Sequence, residues 1–376
     1  WLDNDYYVIN ANAIYKNANL EVTSGAFYSL YKGDHFGEVI WAQFAGGSNI
    51  RDNYYFSDAT KSEFTAFSKA TYKLSNKWQL FVDLQGRFID YKTDGITSDL
   101  VGINVNENFQ FFNPKTGITY QLDEKNQFYG YFGRANREPS RNDFEEGIYT
   151  PEKLNDFELG WRLSSTKFNL NSNVYYMDYK DQLVLSGALN DVGAPLRTTS
   201  GNSYRLGLEI DAAWEFSKKW RIMPNLALST NKNKNFVASI DGDLVALGNT
   251  NISFSPDLVA SNMLVYAPKP NFQISLLSKF VGEQFMGNID SEASKLDSYF
   301  INDINLVYEL NEVRIFKSIV FSALVNNIFN AKYVSNGYFF TYDDDFSNPN
   351  AIKTIEGAGY YPQAGINFLA GVTLKF

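Results

Sequence analysis

The feature that most constrains this chain is an alternation of apolar and polar residues held over unusually long segments. Tyr204, Leu206, Leu208, Ile210, Ala212, Trp214 and Phe216 alternate with Ser203, Arg205, Gly207, Glu209, Asp211, Ala213 and Glu215. Trp220, Ile222, Pro224, Leu226 and Leu228 repeat the pattern. So does the last stretch, where Tyr360, Pro362, Ala364, Ile366, Phe368, Ala370, Val372, Leu374 and Phe376 alternate with a mostly polar set. Successive side chains of a strand point to opposite faces, so each segment has one greasy and one wet face. The runs reach roughly 12–17 residues, against about 5–6 for a globular strand and about 9–11 for one that crosses a bilayer. They predict an all-β fold, a transmembrane antiparallel up-and-down β-barrel.

Fifteen such segments are expected, at 5–16, 19–31, 60–74, 77–92, 106–121, 126–136, 153–163, 167–182, 200–216, 219–231, 251–266, 270–284, 296–310, 314–328 and 358–376. Their connectors alternate between short turns, such as Ser75-Asn76-Lys77 and Asp123-Glu124-Lys125, and long loops at 32–59, 93–105, 137–152, 183–199, 232–250, 285–295 and 329–357. Outer-membrane barrels have short periplasmic turns and longer external loops. Trp78, Trp161, Trp214 and Trp220 lie beside short turns, where an indole suits the headgroup boundary, and are expected to form a membrane girdle. If the last strand ends in the periplasm, the first segment enters from outside. Residues 1–376 are therefore expected to be part of a barrel domain, with at least one strand upstream.

Composition narrows the function classes. Phe (31) and Tyr (25) are abundant while mean hydropathy is negative, which fits strands apolar on one face only. The net charge of −9 argues against nucleic acid as a partner. The absence of cysteine removes disulfides and thiolate metal sites. The single histidine, His35, has no second imidazole beside which to do acid–base work, so no enzyme, catalytic residue or cofactor is expected. Asp343-Asp344-Asp345 reads as a solvated acidic tip, with a hard-cation site as the alternative, and no metal site is assigned to it. Arg205, Glu209, Asp211 and Asp303 fall on wet faces and are expected to line a lumen. Tyr54, Tyr55, Tyr338, Phe339, Phe340 and Tyr342, together with His35, are the candidate ligand contacts in external loops. Aromatic side chains give large contact area at low entropy cost. The alternative for them is packing between loops.

The run Val325-Asn326-Asn327-Ile328-Phe329-Asn330-Ala331-Lys332-Tyr333, with the closing stretch to Phe376, resembles the carboxy-terminal signature of TonB-dependent outer-membrane receptors. Asn113-Pro114-Lys115-Thr116-Gly117 and Pro151-Glu152-Lys153-Leu154-Asn155 agree with it, and the resemblance extends over essentially the whole chain. It implies a plugged 22-stranded barrel, of which these would be about the last fifteen strands. It also implies an amino-terminal plug and TonB box, both absent from this sequence. The TonB-ExbB-ExbD energy complex would act through that plug, and Phe376 would be the signal read by the barrel-assembly machinery. Outer-membrane lipid and lipopolysaccharide would surround the wall in a Gram-negative bacterium. The function so implied is active import of a scarce nutrient, a ferric siderophore or haem being the expected ligand. Import of cobalamin or an oligosaccharide, and a passive porin or adhesive barrel, are the alternatives.

The face assignment is directly testable. A lipid-facing Arg near the midplane costs about 2–4 kcal/mol, whereas a lumen-facing one costs little. Leu208→Arg should block assembly and Glu209→Arg should be tolerated, read as loss or retention of heat-modifiable gel mobility.

Overall fold

The computed structural model describes every residue except 45, 48, 190–194, 314, 349 and 350. Position 314, the first of the expected 314–328 segment, thus lies outside the described residues. In chain order the strands begin β1 (Leu2–Lys16), β2 (Leu20–Glu38), β3 (Asn53–Lys73), β4 (Trp78–Ile96), β5 (Gly102–Phe112), β6 (Lys115–Gln121), β7 (Asn126–Arg137), β8 (Glu152–Ser164) and β9 (Phe168–Lys180). They continue as β10 (Leu183–Leu189), β11 (Pro195–Thr199), β12 (Asn202–Ser217), β13 (Trp220–Ile240), β14 (Asp243–Asn251), β15 (Leu258–Lys269) and β16 (Phe272–Val281). The last are β17 (Gln284–Phe285), β18 (Lys295–Leu296), β19 (Tyr299–Val313), β20 (Phe316–Asn326), β21 (Val334–Asp344), β22 (Lys353–Pro362) and β23 (Asn367–Lys375). A short helix α1 (Arg141–Glu145) follows β7, and a 3-10 turn spans Glu292–Ser294. Among the described residues, seventeen strands belong to an up-and-down antiparallel sheet. No described helix is long and apolar enough to cross a membrane, which leaves crossing by strands untouched.

Two compact units divide the chain, Trp1–Thr119 with Tyr131–Asn155, and Tyr120–Gly130 with Asp156–Phe376. In the first, β1 to β5 pair in sequence. One lateral row on their outer face reads Ile9, Tyr28, Phe64 and Phe88, with Phe64 and Phe88 stacked at 6.3 Å. The next row inward reads Asn10, Phe27, Thr65 and Arg87. Phe64 is 45% and Phe88 48% exposed, while Thr65 is fully buried. Apolar side chains outside and polar ones inside are the reverse of a water-soluble core, and this is what hydrocarbon as a solvent requires.

The outer face also shows where the hydrocarbon ends. On β4 the outward row from Leu80 through Val82 and Leu84 to Phe88 is apolar, with Trp78 at its base. Beyond it come Asp90, Lys92 and Asp94. Asp94 is level with Asp58, Asp34 and Asp3 on the neighbouring strands. The apolar part matches the roughly 9–11 residues that a tilted strand needs to cross. The charged part stands in water.

In the second unit β9, β12, β13, β15, β16, β19, β20 and β23 pair in that order. Trp214, Ile222, Leu264, Leu276, Ile304, Val325 and Phe368 form one unbroken apolar row across seven of these strands. Asn171, Asp211, Asn225, Ser261 and Lys279 form a polar row on the opposite face. Among the described residues no second sheet covers the apolar rows; the large outward side chains, such as Trp214 and Phe368, are solvent-exposed.

The short turns share one device. Asn17 Oδ1 accepts from the Asn19 and Leu20 amides at 2.9 and 2.8 Å, and Asp123 Oδ1 accepts from Lys125 and Asn126 at 2.8 Å each. Ser75, Ser165 and Ser217 do the same with their hydroxyls. A side chain that caps its own turn reverses the chain in few residues. The backbone hydrogen bond from Lys125, then the side-chain and backbone hydrogen bonds from Asn126, hold the Asp123 carboxyl below its ordinary value.

Each of the fifteen expected segments contains a wall strand, with corrections whose causes are visible. The 106–121 segment is two strands, because Pro114 has no N–H to give the ladder. Asn113 fills the gap by donating to Gln85 Oε1 at 3.1 Å. The 251–266 segment enters the wall only at Leu258, and the 358–376 segment only at Asn367, since Tyr360 and Pro362 belong to β22. Several expected loops are strands: β2 runs to Glu38, β3 starts at Asn53, and much of 93–105 pairs. These extensions rise above the hydrocarbon, where neither face needs apolar residues and the alternation fades.

Gly95, at φ +132, marks the crowded end of β3–β4. A Cβ there would run into the Phe56 carbonyl oxygen and the Ser57 Cα. Gly95→Ala should therefore destabilise the folded barrel by roughly 1–3 kcal/mol. The check is the urea midpoint of the detergent-folded protein, which should fall.

Candidate functional site

Register brings a set of chemically active side chains onto the inner face of the first unit. His35 is level with Ser57 and Gly95; Tyr31 with Lys61 and Tyr91; Ser29 with Glu63, Ile89 and Phe109; Phe27 with Thr65, Arg87 and Phe111. The segment after β7 folds onto this face. Its helix α1 begins with a capping box in which Ser140 N–H donates to Asp143 Oδ2 at 2.8 Å and the Asp143 amide donates back to Ser140 Oγ. The box sets Phe144 against Tyr91, with rings stacked at 5.1 Å, and near Phe109 at 6.5 Å. Burying one aromatic side chain contributes on the order of 2–3 kcal/mol, enough to hold a five-residue helix that would not form alone.

Arg141 completes the anchoring. It donates from Nη2 to Ser57 Oγ at 2.8 Å and from Nη1 to Thr93 Oγ1 at 3.0 Å, while its Nε pairs with Glu145 at 2.8 Å. Deeper in the wall, Arg87 grips Glu63 with two hydrogen bonds, at 2.8 and 3.2 Å, and reaches Glu138 at 3.2 Å. Lys61 holds the same Glu138 oxygen at 2.7 Å. The other oxygen, Oε2, is buried with no hydrogen-bond partner among the described residues. Burial pushes the Glu138 carboxyl up, but the Lys61 hydrogen bond and the Lys61 and Arg87 charges outweigh it, leaving the group below its usual range. A guanidinium, an ammonium and several phenols thus ring the outer mouth of this wall.

Among the expected ligand contacts, His35 and Tyr55 lie at this mouth. Burial, then the positive charge of Arg141, lowers the His35 imidazole, so it is neutral at physiological pH. Burial raises the Tyr55 phenol. Tyr54 meets Tyr55 edge-on at 4.9 Å and is itself exposed. These residues stand on the strand extensions rather than in irregular loops. In the second unit Tyr338, Phe340 and Tyr342 share one face of the β21–β22 hairpin, whereas Phe339 is buried on the other face against Met286 and Leu296. Phe339 is a core residue there, not a surface contact. Asp343 accepts from Thr354 Oγ1, Asp344 from the Phe346 and Ser347 amides, so these two carboxylates serve the hairpin tip. Among the described residues no group of His, Cys, Asp or Glu is arranged to hold a metal ion.

Arg141, Glu138, Lys61, Arg87 and Phe144 escape a reading of the sequence. Ser140-Arg141-Asn142-Asp143 carries the N-terminal capping spacing and is the signal that points to α1. Three of the four tryptophans expected to form a girdle sit in aromatic chains near the short turns. Trp161 stacks on Phe128 at 6.3 Å, and Trp214, Phe216, Trp220 and Tyr266 follow one another at 5.5, 6.3 and 4.4 Å. Phe376 packs on Phe316 at 5.1 Å. The inner wall of the second unit is polar, with a cavity of about 450 Å³ lined by Tyr129, Arg162, Asn171, Glu209 and Asp211 among others.

A long-stranded antiparallel wall, apolar outside and polar inside, defines a β-barrel membrane protein. The chain belongs to the TonB dependent receptor-like, beta-barrel family, whose pattern matches residues 2–328. That family is one of outer-membrane receptors, not of enzymes. Similar solved structures include the ferric-catecholate import receptor Fiu of E. coli K12, at 14% identity and TM-score 0.70, over 100% of this chain and 55% of that one. The ferric yersiniabactin uptake receptor FyuA of Yersinia pestis is similar at 15% identity and TM-score 0.68, over 100% and 54%. The copper transporter OprC is similar at 18% identity and TM-score 0.73, over 100% and 57%. The chain spans about half the length of these structures. At such identities the likeness is one of fold.

The ion cluster makes the α1 segment pH-sensitive in a definite direction. A carboxyl lowered in the folded state contributes stability above its unfolded value, near 4.5, and loses it as pH falls through the folded value. Amide protection across 138–151, the exchange rate relative to an unstructured chain at the same pH, should hold at neutral pH and be lost as pH falls below the ordinary carboxylate range. Glu138→Gln should exchange fast throughout.

Proposed function

We propose that this chain is the greater part of the barrel wall of an energised importer in the outer membrane of a Gram-negative bacterium, and that its cargo is an iron chelate, a ferric siderophore or haem. The single observation that carries the reading is the outer mouth of the first unit. There Arg141, bound to Ser57, Thr93 and Glu145, stands with neutral His35 and the Tyr55 phenol above the row of Tyr31 and Lys61. Phenolic and other hydrogen-bonding groups at a water-facing mouth suit a polar chelate, the cations there being paired, Arg141 with Glu145, Lys61 with Glu138 and Arg87 with Glu63. Two proteins of similar fold are receptors for ferric-catecholate import and ferric yersiniabactin uptake, which supports the same class.

The outer membrane maintains no ion gradient, so energy must arrive from the inner membrane. In this reading the TonB-ExbB-ExbD complex pulls a plug that belongs, with the remaining strands, to sequence outside residues 1–376. The exposed edge strands β1 and β23 are where those strands would join. Phe376 acts as the signal to the barrel-assembly machinery, and the Trp78, Trp161, Trp214 and Trp220 girdle sits at the periplasmic headgroups, with lipid and lipopolysaccharide around the wall. Tyr54, Tyr55 and His35 contact the ligand at the mouth.

Uptake by cells carrying the intact receptor tests this. Radiolabelled ferric chelate should enter saturably, stop when the inner-membrane proton gradient is collapsed, and enter about tenfold more slowly with Arg141→Ala, the loss of one charged hydrogen-bonded contact. Entry that is unsaturable and indifferent to the gradient would instead identify a passive pore.

A further inference from the structure

The β21–β22 hairpin carries a flat aromatic ledge that the import reading does not use. On one face of the hairpin Tyr338, Phe340 and Tyr342 stand in line, paired across the strands with Gly359, Gly357 and Ile355. Neighbouring ring centroids are 6.3 and 6.4 Å apart, and neighbouring planes differ by only 14° and 20°. The glycines fix how the rings lie. A Cβ built on Gly357 would sit 2.5 Å from Cζ of Phe340 and 2.8 and 3.0 Å from its two Cε atoms. A point beyond the ring edge would be much farther from the Cε atoms than from Cζ; one over the ring face is nearly equidistant. The Phe340 ring therefore lies face-down on Gly357, and Tyr338 covers Gly359 in the same way. Only glycine leaves room for this.

The opposite face of the hairpin is tied down. Phe339, 3% exposed, is buried with Met286 and Leu296; Ser291 Oγ donates to Glu356 at 2.5 Å; the Tyr360 hydroxyl donates to the Ala293 carbonyl at 3.0 Å. One face is anchored and the other presents rings, of which Phe340 is 38% and Tyr342 47% exposed. Such a platform is organised before any ligand arrives, so binding orders little.

We infer that this ledge is a binding platform for a neutral oligosaccharide, each ring taking the C–H face of one pyranose. Ring faces carry negative charge and attract the polarised C–H hydrogens of a sugar. The ring-to-ring step is on the scale of one pyranose unit, and coplanar rings suit an extended chain rather than a compact ligand. Asn336 and the Asp344–Lys353 pair close the two ends of the same face with hydrogen-bonding groups for sugar hydroxyls. An anionic chelate is disfavoured by the ring faces and by the carboxylates of Asp343, Asp344 and Asp345 at the tip. Haem would find no imidazole on this hairpin, the one histidine being His35. The site stands independently of the iron-chelate mouth.

The test uses the intact receptor in detergent, titrated with cellohexaose, maltohexaose and, as an anionic control, hexagalacturonate. Saturation-transfer NMR supplies the contact map. At least one neutral hexaose should bind saturably below about 5 mM, with transfer concentrated on its C–H protons. Phe340→Ala should weaken it at least about tenfold, and Gly357→Val, which lifts the Phe340 ring while keeping it, at least about fivefold. Tyr342→Ala, at the exposed end, gives the same reading should either of those variants fail to assemble. Arg141→Ala, at the import mouth, should leave hexaose binding unchanged, which separates the two sites. Absence of saturable binding by both neutral hexaoses, equal binding by the Phe340→Ala and Tyr342→Ala variants, or preference for hexagalacturonate would each overturn the inference.

Discussion

A strand exposed to hydrocarbon has no water to take up its N–H and C=O groups, so every one must be answered by a neighbouring strand. That requirement governs the rest of this chain. It makes the wall strands antiparallel neighbours joined by short self-capped turns such as those at Asn17 and Asp123. It also frees the side chains from forming a common core. The outward rows, Ile9-Tyr28-Phe64-Phe88 in one unit and Trp214-Ile222-Leu264-Leu276 in the other, need only be apolar, because lipid supplies their packing. The inward rows are then available for hydrogen bonds and charge. The sheet is the scaffold, and the inner face is the chemistry.

Energetics follow the same division. Buried clusters in the ordinary sense are small: Tyr91, Phe109, Phe111 and Phe144 under α1, and Met286, Leu296 and Phe339 beneath the β21–β22 hairpin. Both lie where chain outside the wall folds back and has water rather than lipid around it. Each therefore resembles a miniature soluble core. The Glu63–Arg87–Glu138–Lys61 network beside the first is satisfied except at one carboxylate oxygen. A partly buried ionic network of this kind fixes geometry more than it adds stability, which suits a mouth that must keep one shape.

Much of the wall is legible in sequence because a side-chain period of two survives wherever one face meets lipid. The row from Leu80 to Phe88, and the row through Tyr204, Leu206 and Leu208, can be assigned without coordinates. The alternation stops being informative at Asp90, above the hydrocarbon, and there β4 and β5 read as a loop although they continue to pair. Pro114 breaks a segment whose periodicity runs through it, and only the missing N–H shows why. The proposed mouth is harder to see. His35 and Tyr55 stand out in the sequence, but Arg141 does not, because its meaning comes from Ser57 and Thr93, far away in the chain and near only by register. Phe339 looks like its neighbours in sequence; strand parity sends it to the opposite face.

Alternating segments that form a wall should meet lipid on one side and water on the other, residue by residue. The chain has no cysteine, so a single one introduced at each position from 205 to 216 can be followed alone. In bilayers containing brominated lipid, a fluorophore at even positions should be quenched, while odd positions should react with a water-soluble maleimide. Quenching and labelling that fail to alternate along β12, or even positions shielded from both lipid and water, would contradict the account.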